Sequence, residues 1–96
     1  MDLGLAGKTA YVTGAALGIG RSIVERLVEE GMTVFAVDRQ LDRLDAYVAE
    51  LSLSVSVETF GADLSRIEEV EAAARAAVEF FGGPPDVLVN NVGAGS

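Results

Sequence analysis

Thr13-Gly14-Ala15-Ala16-Leu17-Gly18-Ile19-Gly20 constrains this chain more than any other stretch, because it sets three glycines between an apolar strand-like run and an amphipathic helix. The run Thr9-Ala10-Tyr11-Val12 precedes it, and Ile23, Leu27 and Val28 share one helical face after it. The first amides of a helix have no intrahelical partner, and the summed peptide dipoles leave partial positive charge beside them. An anion is therefore favoured at such a junction, and glycine lets a pyrophosphate approach bare N–H groups without meeting a Cβ. The same glycines also suit a tight loop with no ligand, and the spacing alone leaves both readings open.

A second feature adds weight to the ligand reading. Thr33-Val34-Phe35-Ala36-Val37 is another strand-like run, and it ends in Asp38, 18 residues after Gly20. A carboxylate at that strand tip can accept hydrogen bonds from an adenosine ribose, as the acid about 20 positions on does in dinucleotide-binding units. A solvated acid at a strand end is the plainer alternative.

Apolar strand-like runs alternate with helical patterns along the whole chain, which is the sign of βαβ units around a parallel sheet. The expectation is an α/β fold of four strands and three helices: strands near 8–13, 32–38, 54–60 and 86–90, with helices near 18–30, 41–51 and 65–81. Gly31 suits the C-terminal cap of the first helix. Leu41, Leu44, Val48 and Leu51 form the inward stripe of the second. The alternation from Ser52 to Val57 predicts a half-exposed third strand at a sheet edge. Ser65-Arg66-Ile67-Glu68 fits a capping box that opens the third helix, with Ile67, Val70, Ala74, Ala77, Val78 and Phe81 as its buried stripe. Asp86-Val87-Leu88-Val89-Asn90 predicts a fourth strand buried on both faces.

The 96 residues suit one small domain, half of them hydrophobic, with a net charge of -8. That balance argues for a folded soluble protein and against nucleic acid or an anionic membrane as partners. With no cysteine and no histidine, disulfides, thiol catalysis, the usual zinc sites and Ser-His-Asp chemistry are excluded. No segment approaches the length of a transmembrane helix, so a cytoplasmic location is expected.

With these landmarks placed, the chain resembles the N-terminal part of the short-chain dehydrogenases/reductases over essentially its whole length. Thr13-Gly14-x-x-x-Gly18-Ile19-Gly20 is similar to that family's TGxxxGxG cofactor turn. Asp63-Leu64 is similar to its adenine-contacting acid, and Asn90-Asn91-Val92-Gly93 to its NNAG element, with Val92 in the alanine place. Taken singly, Asp63 also suits the dipole of a following helix, and Asn90 and Asn91 also suit a turn.

The resemblance implies a Rossmann-like three-layer fold with four parallel strands in the order 3-2-1-4, formed by residues 1–96 as a single truncated dinucleotide-binding domain. It implies that Gly14, Gly18, Ile19 and Gly20 line the pyrophosphate, with Ala16 and Leu17 on the turn. Asp38 would hold the adenosine ribose, Asp63 and Leu64 would flank the adenine, and Asn90 and Gly93 would lie beside the ribose on the nicotinamide side. NAD is favoured over NADP, because the Asp38 carboxylate repels a 2'-phosphate, although the neighbouring Arg39 could accommodate one.

The family performs hydride transfer with a serine and a Tyr-x-x-x-Lys pair that come after the fifth strand. Here Tyr11 is followed four positions on by Ala15 and Tyr47 by Leu51, and the only lysine is Lys8. No catalytic residue is therefore assigned, and the chain is expected to be the inactive cofactor-binding piece of a longer oxidoreductase acting on an alcohol or carbonyl. In the family order the fourth strand is interior, so its edge is expected to be exposed here and to drive homo-oligomerisation or strand exchange. The alternative is a truncated or engineered structural module, self-assembling and without significant ligand binding.

Overall fold

The computed structural model describes residues 4–16, 18–51 and 57–91. Within them the elements run β1 (Thr9–Thr13), α1 (Gly18–Glu29), β2 (Thr33–Asp38), α2 (Leu41–Glu50), β3 (Val57–Gly61), α3 (Ile67–Phe81) and β4 (Val87–Asn90). All pairings are parallel, in the order β3-β2-β1-β4. This is the four-stranded α/β sheet that the sequence predicts, with each element shifted by no more than a residue or two where it is described. The expected start of the third strand, at 54–56, lies outside the described residues.

Period-two alternation divides the strands between two cores. Ala10, Val12, Val34 and Ala36 point to the face covered by α1 and α2, where they bury Val24, Val28, Leu44 and Tyr47. Tyr47 was absent from the predicted stripe of α2. It is only 4% exposed, and its hydroxyl donates to the Arg21 carbonyl of α1 at 3.0 Å while the Arg21 guanidinium lies 4.0 Å over its ring. Burial, then the nearby Glu25 charge, pushes the Tyr47 hydroxyl above its ordinary pKa. The end of α1 is closed as expected. Gly31 takes φ +82°, its N–H donates to the Val28 carbonyl, and Met32 N–H donates to the Leu27 carbonyl, a Schellman arrangement.

The opposite face centres on Phe35, whose ring meets those of Tyr11, Phe60, Phe80 and Phe81 at 5.7–6.2 Å. This cluster turns α3 away from its predicted orientation. Ala73 and Ala77 are buried and Ala76, Phe80 and Phe81 pack against the cluster, whereas Ile67 is 67% and Val78 46% exposed. Small alanines let the helix axis approach the aromatic rings, so Ala77 and Phe81 of the expected stripe are kept, while Ala73, Ala76 and Phe80 take the inward places expected of Ile67, Ala74 and Val78.

On that face α3 lies over β2 and β3 and Tyr11 of β1 packs beside Phe35, which leaves the outer strand β4 uncovered by the described elements. Val87 and Val89 pack into the first core, while Leu88, between them, is 66% exposed. The apolar run of β4 thus suggested burial on both faces, but the described residues bury one.

Candidate functional site

The C-terminal ends of all four strands are tied together by groups that the sequence marks as functional. At the end of β1 the chain enters the glycine turn with Gly14 at φ +63° and leaves it with Gly18 at φ +54°. Ala15 N–H donates to the Val37 carbonyl at 3.1 Å. Ala16 N–H donates to Asp38 Oδ2 at 3.2 Å, and Gln40 N–H donates to Asp38 Oδ1 at 2.8 Å. The tip of β2 therefore holds the turn by a carboxylate whose two oxygens are each already oriented.

The three glycines do different work. A Cβ at Gly20 would stand 1.8 Å from the Gly14 carbonyl oxygen, so the helix start lies directly on the turn. A Cβ at Gly14 would come within 3.0 Å of the Asn91 carbonyl oxygen. At Gly18 a Cβ would meet nothing within 4 Å. Packing thus demands Gly14 and Gly20, while Gly18 faces open space beside the first amides of a 12-residue helix. That division matches the needs of a pyrophosphate site: a tight turn, a bare approach and close helix–strand contact. Ile19 follows, 71% exposed. Leu17 lies outside the described residues.

On the β4 side, the Thr13 hydroxyl donates to Asn90 Oδ1 at 2.9 Å and accepts from Asn91 N–H at 3.1 Å. Thr13 is only 4% exposed, and Asn90 stands exposed beside it. Thr13 belongs to the glycine motif, but the motif's spacing assigns its side chain no role. The available signal was a hydroxyl ending an otherwise apolar strand, where burial obliges it to find partners. Gly93, expected beside the same ribose as Asn90, falls outside the described residues.

On the β3 side, Ala62 N–H donates to the Asp38 carbonyl at 3.2 Å. The capping arrangement before α3 differs from the expected one. Ser65 caps no helix amide: its N–H and its hydroxyl both donate to Asp63 Oδ1, at 3.0 and 2.7 Å. The acid reaching back is Glu69, whose Oε1 accepts from Asp63 N–H at 2.8 Å. The physical reason is that the Asp63 carboxylate is turned onto Ser65 in an Asx turn, so no side chain caps a helix amide and the acid that reaches back is one residue later than expected. The Ser65 bonds, hydroxyl first, together with the charges of Arg39 and Arg66, hold the Asp63 carboxyl below its ordinary pKa. Leu64 joins Tyr11, Thr13, Val70, Leu88 and Asn90 around a groove of about 340 Å³ beside the uncovered strand β4.

The structure accordingly gathers Gly14, Ala16, Gly18, Ile19, Gly20, Asp38, Asp63, Leu64 and Asn90 along one edge of the sheet. Among the described residues no group of three or more acidic side chains is arranged to hold a metal ion. No helix of the described residues is long and apolar enough to cross a membrane.

Comparison with known proteins agrees with this architecture. The model of the short chain dehydrogenase family matches residues 8–96, and the chain belongs to that family. It is 47% identical to L-xylulose reductase of Mesocricetus auratus over 95% of this chain, and 40% identical to 3beta-hydroxysteroid dehydrogenase 2 of Eggerthella lenta over 93%. In each case it spans 34% of the relative's length. Among solved structures, L-sorbose reductase from Gluconobacter frateurii, complexed with NADPH and L-sorbose, superimposes with a TM-score of 0.90 at 39% identity, covering 97% of this chain and 36% of that one. The 3-ketoacyl-(acyl-carrier-protein) reductase from Brucella melitensis, complexed with NADH, gives 0.78 at 33% identity, covering 88% and 33%. The sheet order and flanking helices are those of a Rossmann-like fold.

Proposed function

We propose that this chain binds a nicotinamide dinucleotide along the C-terminal edge of its sheet, with NAD favoured over NADP. In this reading it supplies the cofactor-binding part of an oxidoreductase that moves hydride between the cofactor and an alcohol or carbonyl. The observation that carries the proposal is the open space at Gly18 beside the helix start, in a turn whose Ala16 amide is held by the Asp38 carboxylate. Gly14, Ala16, Leu17, Gly18, Ile19 and Gly20 would border the pyrophosphate, Asp38 the adenosine ribose, Asp63 and Leu64 the adenine, and Asn90 and Gly93 the nicotinamide-side ribose.

Structural neighbours are complexed with either NADPH or NADH, so the preference rests on this chain's own groups. A 2'-phosphate would sit against the fixed Asp38 carboxylate, and repulsion between two anions at contact distance outweighs what an exposed Arg39 recovers. Neither tyrosine supports hydride chemistry here: Tyr47 is buried between α1 and α2, Tyr11 lies on the sheet face with its hydroxyl pushed above the ordinary pKa by burial, and Lys8 immediately precedes β1, at the opposite end of that strand from the glycine turn.

Calorimetric titration of NAD and NADP into the 96-residue protein, beside Asp38→Ala, tests the proposal. NAD is expected to bind more tightly than NADP, and the variant is expected to lose NAD affinity about tenfold or more, as for a lost hydrogen bond to a charged group. No binding, or binding indifferent to Asp38, would contradict it.

A self-associating assembly is a second reading with its own support, since β4 is an outer strand of the described sheet and Leu88 on it is exposed. Sedimentation that stays monomeric across a wide concentration range would sink it.

A further inference from the structure

The loop that carries Asp63 is held more firmly than a strand-to-helix connection requires. Arg66 N–H closes a turn onto the Asp63 carbonyl at 3.1 Å. Ser65 donates twice to Asp63 Oδ1. From the first turn of α3, Glu69 accepts the Asp63 N–H on Oε1 at 2.8 Å, while its Oε2 meets Arg66 Nε at 3.3 Å. Every polar group of Asp63 except Oδ2 is thus engaged within the loop, and Glu69 is the one partner supplied by a rigid element. The neighbouring Glu68, by contrast, is exposed and meets only the Arg66 guanidinium at 4.0 Å, so of the two acids in that turn Glu69 is the one that holds the Asp63 amide.

We propose that Glu69 is a positioning residue for recognition of the cofactor's base: by holding the Asp63 amide it fixes the Asp63 carboxylate as an acceptor for an exocyclic amine. This rests on the dinucleotide reading above and adds a specificity to it. A carboxylate locked as an acceptor attracts the amino group of adenine and repels a carbonyl oxygen at the same ring position. The preference for an amine-bearing purine therefore depends on the geometry that Glu69 maintains, and not on the net charge of the loop alone.

The test is calorimetric titration of NAD and of its hypoxanthine analogue, which carries a carbonyl in place of that amine, into the wild-type protein and into Glu69→Asp and Glu69→Gln. The wild type is expected to prefer the adenine form by about tenfold or more, the size of a hydrogen bond to a charged acceptor. E69D keeps the charge at the helix start but is a methylene too short to reach the amide, and its preference collapses toward unity. E69Q keeps an acceptor oxygen within reach and retains the preference. E69A supplies the same readout as E69D if the latter does not melt cooperatively. A wild type that binds both forms equally, an E69D or E69A variant with the full preference, or one that loses affinity equally for both forms, would overturn the role of Glu69 while leaving dinucleotide binding intact. A wild type that binds neither form would overturn the dinucleotide reading itself.

Discussion

The two ends of the β1–β4 seam use the same device for opposite purposes. At the N-terminal end, Thr9 N–H donates to Asp86 Oδ2 at 2.9 Å, the Thr9 hydroxyl donates to the same oxygen, and Asp86 N–H returns to the Thr9 carbonyl at 3.0 Å. Those groups satisfy one another and close the sheet. At the C-terminal end, Thr13 also joins β1 to β4, but through Asn90 and Asn91, which stand beside the glycine turn and its open space. In a parallel sheet only this end receives the helix N-termini, so only here do bare amides and positive dipole ends converge. One threonine therefore finishes the fold and the other arranges the groups of the proposed site.

Substitutions at the two ends should separate along that line. The largest effect is expected within the turn, where Gly20→Ala would force a Cβ onto the Gly14 carbonyl. A destabilisation of about 3 kcal/mol or more, of the severity of core overpacking, should appear in thermal melting. Gly18→Ala is the sharpening contrast. Its Cβ enters open space, so stability should fall only by about 1 kcal/mol, from the positive φ, while NAD affinity falls steeply because the added methyl occupies the approach. Equal losses of stability in the two variants would break the distinction between packing and approach glycines.

Next in size, Thr13→Val removes the hydroxyl and leaves the Asn91 amide without that acceptor, at about 1–2 kcal/mol. Both melting temperature and NAD affinity should fall. Thr9→Val should lower the melting temperature and leave affinity untouched. If Thr9→Val weakened NAD binding as much as Thr13→Val does, the two ends would not be functionally distinct.

The smallest effect concerns acid. The Thr9 amide, and secondarily its hydroxyl and the Lys8 charge, hold the Asp86 carboxyl below the ordinary 3.8. Its charged form is favoured in the fold, so the stabilisation is complete above 3.8 and is lost as pH falls through the lower native value. Asp63 acts in the same direction. Melting followed from pH 6 to 2 should show a decline at the acid end that Asp86→Asn makes shallower; an unchanged acid limb would remove the closing role from Asp86.

How far the residues announce all this differs along the chain. Order, type and spacing of the elements follow from local signals: glycines at 14, 18, 20 and 31, apolar runs in β1, β2 and β4, and apolar spacing in α1 and α2. What escapes local reading depends on which neighbour an element meets. The stripe of α3 is set by the Phe35 ring cluster, assembled from four elements, so Ile67 and Val78 face outward in spite of their period. The exposure of Leu88 reflects where α3 comes to lie, which β4's own residues do not encode. In the site, Asp38, Asp63 and Asn90 stand where their strand-end positions suggest. Thr13 and Glu69 were hidden because their importance lies in what they hold, and a hydroxyl or carboxylate in a sequence does not name its partner.

A division of closure from binding between the two ends of one sheet can be read residue by residue. Amide chemical shifts of the 96-residue protein, followed by nuclear magnetic resonance while NAD is added, test it most directly. Saturable shifts are expected at Gly14, Ala16, Gly18, Gly20, Asp38, Asp63 and Asn90, with Thr9 and Asp86 unmoved. Shifts centred on Thr9 and Asp86, or none anywhere at saturating NAD, would contradict it.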